Sequence, residues 1–343
     1  LKQSKSIISG DPADPGLASV LDEAAEAGPD TESREFMIGE GQHGERLDRA
    51  LAQLVDEFSR SYLQQLIETG AVRLNGAAAL KPSARVRAGE RGSIELRPTP
   101  QSQAFKPESM PLEVVFEDEH LCVINKPAGL VVHPAPGNWS GTLLNGLLAR
   151  DAQAALLPRA GIVHRLDKDT SGLMVVARTR SAMDALVQLI AAREVSRQYL
   201  ALAHRRWTGP SWRQVEAAVG RDPRNRLRMA VVDLGQNAGK PASTGLELLQ
   251  NSEQGCWVRC TLQTGRTHQI RVHMAHLGHP LVADELYGGQ PAAGLQRQAL
   301  HAFRLAFTHP ATGRALEFHA PLPYDLRQAL SAWGLSYNAL DGS

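Results

Sequence analysis

The chain has 343 residues, 43% of them hydrophobic and 21% charged, with a formal net charge of +1 at pH 7. That length has room for about two domains with a sizeable core, and the composition is neither disordered overall nor collagen-like. Three cysteines cannot make a disulfide framework, no apolar run approaches the roughly 18 residues of a membrane span, and the near-neutral charge announces no nucleic-acid partner by itself.

Residues 1–35 are expected to be an acidic tail. From Gly10 to Glu35 the chain is rich in Asp, Glu, Ala, Gly and Pro, and such a segment buries too little apolar surface to fold. Its first ten residues lack the long apolar core of a secretory signal.

Residues 36–97 read as a small domain. Leu47, Leu51, Leu54 and Val55 recur at helical spacing over Arg46–Glu57. Ser59 is placed to cap a second helix, Ser61–Thr69, whose Leu63, Leu66 and Ile67 share a face and which Gly70 ends. Asn75-Gly76 signals a hairpin turn, and Val86, Ile94 and Leu96 supply later strand positions. Arg73, Lys81, Arg85, Arg87, Arg91 and Arg97 outnumber Glu90 and Glu95, a balance that suits phosphate contact or a solvated face. Residues 98–107, with Pro98, Pro100 and Pro107, read as a semi-extended linker.

Beyond the linker, Leu112–Phe116 and Leu121–Ile124 flank an acidic turn and read as a hairpin. Val131-Val132 is expected to resume a strand, and Thr142–Leu148 to start a helix. Pro158–Thr179, PRAGIVHRLDKDTSGLMVVART, places a dense polar loop between the apolar runs Gly161–Val163 and Leu173–Ala177. Strand, charged loop, strand presents chemistry at a sheet edge. Asp167 has Arg165 and Lys168 beside it, and neighbouring cations favour a charged carboxylate that can act as nucleophile or base. Asp167 or Asp169 can equally bond loop amides, as Asx-turn residues do.

Ser181–Ala192 has Met183, Leu186, Val187 and Ile190 at helical spacing, and Arg193–Leu202, with Tyr199, turns to strand character. A strand tyrosine is most often a core residue. Arg221–Val232 reads as a basic loop, and Leu246–Leu249 and Trp257–Leu262 as paired strands. In Gly265–Gly278, Thr267 is placed to cap a helix bearing Ile270, Met274 and Leu277, with Gly278 and Pro280 as stops. Arg266 and the first helical amides would favour a phosphate. His268, His273, His276 and His279 are crowded here, but their spacing matches no familiar metal-ligand pattern. Ala299–Thr308 pairs with the strand of Phe318, and Leu326–Trp333 closes the chain as a helix.

Five stretches together carry a resemblance. NKPAGLVVHP (Asn125–Pro134), HRLDKDTSGL (His164–Leu173), REVSRQYLA (Arg193–Ala201), GRTHQIRVHMAHLGHPLVADELYGG (Gly265–Gly289) and LHAFRLAFTHP (Leu300–Pro310) are similar, in this order, to motifs of the RluA-type pseudouridine synthases. The resemblance spans most of 107–323. Residues 36–97, two helices and a basic hairpin, resemble the S4 RNA-binding module.

The resemblance implies an α+β protein. A small S4-like RNA-binding domain (36–97) and the linker (98–107) precede a pseudouridine synthase catalytic domain (108–335), with a tail at 336–343. The catalytic domain should carry a large mixed, mainly antiparallel sheet flanked by helices, with the site in a cleft across it. The implied reaction converts uridine to pseudouridine in 23S ribosomal RNA, on a stem-loop, without cofactor or metal. Asp167 would be nucleophile or base, Arg271 its ion-pair partner, and Tyr199 would lie against the target base. Arg165, Arg266, His268 and Lys126, with Arg73, Lys81, Arg85 and Arg87, would contact RNA. The expected protein is a cytoplasmic monomer that acts on large-subunit RNA, free or in an assembling subunit, and touches no membrane. Two rival readings are a non-catalytic ribosome assembly factor on the same surface and a histidine-dependent metal hydrolase.

Overall fold

The computed structural model describes residues 32–56, 58–96 and 104–337. The expectations for the acidic tail before Glu32, for Arg97, for 98–103 of the linker and for the last six residues lie outside them. The chain divides into two compact units between Gln101 and Ser102.

The first unit has four antiparallel strands and two helices: β1 (Glu32–Met37), α1 (Leu47–Leu54), α2 (Arg60–Glu68), β2 (Val72–Leu74), β3 (Ala77–Ala78) and β4 (Arg91–Leu96), in sheet order β1-β4-β2-β3. β1 starts at Glu32, four residues ahead of the boundary expected from composition, because Glu32–Glu35 pair with Ser93–Leu96. Leu47, Leu51, Leu63, Leu66 and Ile67 pack with Val72 and Ile94 into one core. Ser59 caps α2 by accepting the Tyr62 amide at 3.3 Å. Asn75 and Gly76 both take positive φ, 50° and 81°, which a two-residue hairpin turn requires. Val86 is buried but lies in no strand.

The second unit is built on a nine-stranded sheet. Its strands are β5 (Glu113–Glu117), β6 (Leu121–Lys126), β7 (Ser171–Ala177), β8 (Ser196–His204), β9 (Trp212–Glu216), β13 (Ser243–Asn251), β14 (Gly255–Leu262), β15 (Leu300–Thr308) and β16 (Ala315–His319). The order is β5-β6-β7-β15-β8-β14-β13-β9, with β16 on β15; only β7 and β15 run parallel. Three short strands, β10 (Val219–Arg221), β11 (Met229–Val231) and β12 (Gly239–Lys240), form a separate sheet. Four helices complete the unit: α3 (Leu143–Arg150), α4 (Arg180–Ala192), α5 (Gln269–His276) and α6 (Tyr324–Ala332).

Strand alternation decides what each helix covers. On β8, Tyr199, Ala201 and Ala203 join the core that holds Leu143, Leu147, Ile270 and Met274 of α3 and α5. Leu200 and Leu202 face the other way, toward Leu326 and Leu330 of α6. α4 packs Ala182 and Leu186 against Leu173 and Val175 of β7.

Four local expectations are corrected. Val131-Val132 forms no strand, because both carbonyls turn to accept the Leu143 and Leu144 amides at the start of α3 (2.8 and 3.2 Å). Gly161–Val163 contributes one bridge, Ile162 to Val176, after a tight turn in which Arg159, Ala160 and Gly161 all have positive φ. Residues 221–232 are no free loop: Arg221 ends β10, 222–228 connect the hairpin, and Met229–Val231 form β11. The N-cap of α5 is His268, with φ 56°, not Thr267. The Gln269 side chain does the satisfying instead, accepting the Arg266 amide at 3.0 Å.

Candidate active site

Asp167 stands in the loop that leads into β7, and that loop is held from several elements. The Thr170 amide donates back to Asp167 O at 3.1 Å, closing a turn. Lys126, at the end of β6, is 1% exposed. Its Nζ donates to the carbonyls of Pro127 (2.8 Å), Leu130 (2.9 Å) and Lys168 (2.9 Å). Arg297 Nη1 donates to Asp169 O at 3.0 Å, and Gln298 Nε2 to Thr170 Oγ1 at 3.0 Å. His164 Nε2 accepts the Val175 amide at 3.1 Å. A carboxylate on a loop tied down this way needs little reorganisation before it reacts.

The Asp167 carboxylate accepts from Arg271 Nη1 at 3.1 Å. Arg271 lies in the first turn of α5, and its other two nitrogens grip Asp284, Nε to Oδ2 at 2.8 Å and Nη2 to Oδ1 at 2.7 Å. Burial opposes the charge on Arg271, but the bonds and charges of Asp284 and then Asp167 outweigh it and hold its pKa above the ordinary arginine value. The guanidinium also lies 5.0 Å from the centre of the Tyr287 ring, within cation–π range.

His268 approaches from the other side, with Nε2 3.8 Å from Asp167 Oδ1. Its Nδ1 is 2.8 Å from the Tyr287 hydroxyl, which accepts the Met229 amide at 3.0 Å. With the hydroxyl's own hydrogen directed at Nδ1, the His268 proton sits on Nε2, toward Asp167; in the other tautomer Nδ1 donates to the hydroxyl's second lone pair. Burial lowers the His268 pKa, with the Asp167 charge working against that shift.

Tyr199 completes the cleft. It is 5% exposed, and burial pushes its phenol up to about 12, so at neutral pH it is an uncharged ring with a hydroxyl donor. Asp167, Arg271, His268 and Tyr199 line a narrow space of about 50 Å³. A cavity of about 650 Å³ adjoins it and shares Arg165, Tyr199 and Leu262. One positioned carboxylate with an arginine behind it and an aromatic face opposite can attack a carbon or take a proton from one.

A model of the RNA pseudouridylate synthase family matches residues 120–276, and one of the S4 domain matches residues 45–91. Over 299 residues the chain is 48% identical to "Ribosomal large subunit pseudouridine synthase D" of Neisseria meningitidis serogroup B, covering 84% of this chain and 78% of that protein. A protein of the same name from Xylella fastidiosa is 48% identical over 313 residues, 88% of this chain and 92% of its own. The chain belongs to the pseudouridine synthase family.

The solved structure of "Human RNA Pseudouridylate Synthase Domain Containing 1" matches this pseudouridine synthase with a TM-score of 0.53 at 28% identity, over 69% of this chain and 95% of that one. Asp167, Tyr199 and Arg271 are gathered in one cleft. Arg165 is exposed and lines both spaces; Arg266 lines the larger, with Nε donating to Pro241 O at 3.2 Å. Arg73, Lys81, Arg85 and Arg87 are all exposed on the first unit, where Arg73 shares a groove with Arg91, Asn75 and Phe36.

Lys126 is a correction. It faces no solvent, and its ammonium fixes the Asp167 loop through Lys168 O instead of reaching RNA. The crowded histidines are separated. His273 bonds Thr244 Oγ1 and Ala217 O, both at 2.9 Å, and His279 stacks on Trp207 at 5.0 Å. Among the described residues no three His, Cys, Asp or Glu side chains are placed to hold a metal ion. Asp284 and Tyr287 were missed, although both fall in the LVADELYGG segment of a recognised motif. Arg197 was missed too; its position two residues before Tyr199 on a strand was the available signal.

Proposed function

We propose that this pseudouridine synthase isomerises uridine in large-subunit ribosomal RNA. The observation that carries the chemistry is the Asp167 carboxylate held by Arg271 at 3.1 Å, beside Tyr199. The RNA class follows from the relatives, 43–48% identical over most of the chain, that bear the large-subunit name.

The reaction breaks the bond from sugar C1′ to uracil N1, turns the base and joins C1′ to C5. Asp167 acts on C1′, on uracil C6 or on the C2′ proton, three routes that begin from the same carboxylate. Arg271 matches its charge, and Tyr199 lies against the detached base. The target has to leave its stack, which favours unpaired bases of a stem-loop. The first unit adds affinity through Arg73, Lys81, Arg85 and Arg87 on backbone phosphates. The reading includes a monomer at work in the cytoplasm, on RNA alone or in an assembling subunit. Three free, buried cysteines accord with a reducing compartment. No helix among the described residues is long and apolar enough to cross a membrane.

The test is tritium release from large-subunit RNA labelled at uracil C5 and lacking the modification. Wild type should release tritium in the presence of chelator, and Asp167→Asn should not. Release by both proteins would remove Asp167 from the chemistry. Release by neither, on free RNA and on subunits alike, would leave a binding protein as the better reading.

A further inference from the structure

Arg197 is a buried cation with no counterion among the described residues. It leaves β8 on the same face as Tyr199, two residues on. It is 7% exposed, its Nε has no hydrogen-bond partner, and no ion pair forms on its guanidinium among the described residues. A guanidinium does not shed its proton inside a protein, and an unpaired buried charge is costly unless something of opposite sign completes it.

Nothing in its own wall can do so. The cavity of about 650 Å³ that Arg197 lines also takes in Arg159, Arg165, Arg193 and Arg266, and no aspartate or glutamate. His164 lines it as well. Its Nε2 accepts the Val175 amide, so its proton sits on Nδ1, a buried atom that has no partner. Burial, and after it the charge of Arg197, push the His164 pKa down to about 3, which keeps the ring neutral. Gly265 makes room for the guanidinium, since a Cβ there would lie 2.9 Å from Arg197 Nη1.

We propose that this cavity is a phosphate site, in which Arg197 takes a backbone phosphate next to the target uridine and so sets the base against Tyr199. The proposal rests on the RNA-modifying function above. A phosphodiester matches the uniform positive charge and the fork geometry of arginine; a neutral uracil ring supplies no charge to match.

The test compares wild type with Arg197→Met, Arg197→Lys and Gly265→Ala. Binding to unmodified large-subunit RNA is measured across salt concentrations. Single-turnover tritium release is measured at saturating RNA. Stem-loops on which the wild type is active carry one neutral methylphosphonate at each phosphate flanking the target. Arg197→Met should weaken binding about tenfold and flatten the slope of log affinity against log salt by about 0.7. Arg197→Lys should keep the slope, and Gly265→Ala should share the loss. One methylphosphonate should weaken wild type and have no further effect on Arg197→Met, with the loss falling on Kd more than on the saturated rate. Unchanged salt slope in Arg197→Met, or methylphosphonate losses that simply add to that of the variant, would overturn the phosphate site. A wild type that binds but never releases tritium would instead sink the catalytic reading, while the salt slope would still decide the contact.

Discussion

Asp284 holds Arg271 by two parallel bonds, at 2.7 and 2.8 Å, and leaves the third guanidinium nitrogen for Asp167. Asp284 is 2% exposed and contributes nothing to the cleft surface. Its work is to fix the direction in which Arg271 points. Asp284→Asn keeps the shape but removes the charge, so Arg271 is freed to swing onto Asp167. Single-turnover tritium release should fall roughly 10- to 100-fold, the scale of a misplaced catalytic group. Asp284→Ala should in addition cost about 3–5 kcal/mol in chemical denaturation, as broken buried pairs do. A full rate in both variants would mean that α5 alone orients Arg271.

Gly172, the second residue of β7, has φ 115°, and a Cβ there would lie 2.2 Å from Ala302 O. That contact is the parallel junction of β7 with β15. Gly172→Ala should therefore cost at least about 4 kcal/mol or prevent folding, since strain and backbone overlap act together. Gly129→Ala makes the comparison: φ is 87°, but the space is open, and about 1 kcal/mol is expected. Thermal denaturation of the two variants should separate them clearly.

His301 is fully buried, with Nδ1 2.9 Å from Ser171 Oγ. Burial, first among the causes, lowers its pKa to about 4 from 6.5. The unfolded chain therefore takes up this proton near pH 6.5 and the folded one only near 4. Between those values the unfolded state binds more protons, so stability falls as the pH falls. The expected loss is about 2 kcal/mol by pH 5 from this residue alone. His301→Gln should flatten that part of the stability–pH curve; an unchanged curve would assign the acid sensitivity elsewhere.

Arg73 and Arg91 border a groove of about 680 Å³ on the first unit, beside Asn75 and Phe36. If each meets one phosphate, Arg73→Gln with Arg91→Gln should lower the salt slope of RNA binding by about 1.4–1.8, from 0.7–0.9 per contact. An unchanged slope would place the RNA on another face of this unit.

Local signals were legible in the sequence. Ser59, Asn75-Gly76 and Thr142 each act through neighbours a few residues away, and each sits as its type requires. The ion pair of Asp167 with Arg271 joins residues 104 apart, and no spacing rule reaches that far; the family resemblance supplied it. Lys126 misled because lysine is almost never fully buried, and three convergent carbonyls leave no trace in the sequence. Arg197 and Asp284 were overlooked for a related reason: burial decides their meaning, and burial is a property of the assembled sheet.

The parallel junction of β7 with β15 also sets a clock. β15 inserts between β7 and β8, and Ser171 meets His301 130 residues later in the chain. At about 5–20 residues per second, a nascent chain carries the open edge of β7 for about 7–25 s, and that of β8 for about 5–20 s, before the closing strand exists. Through that interval the buried strand SGLMVVA has one unpaired side, and Arg271 is made only toward its end, so sheet closure waits on β15 and the Asp167 ion pair on Arg271.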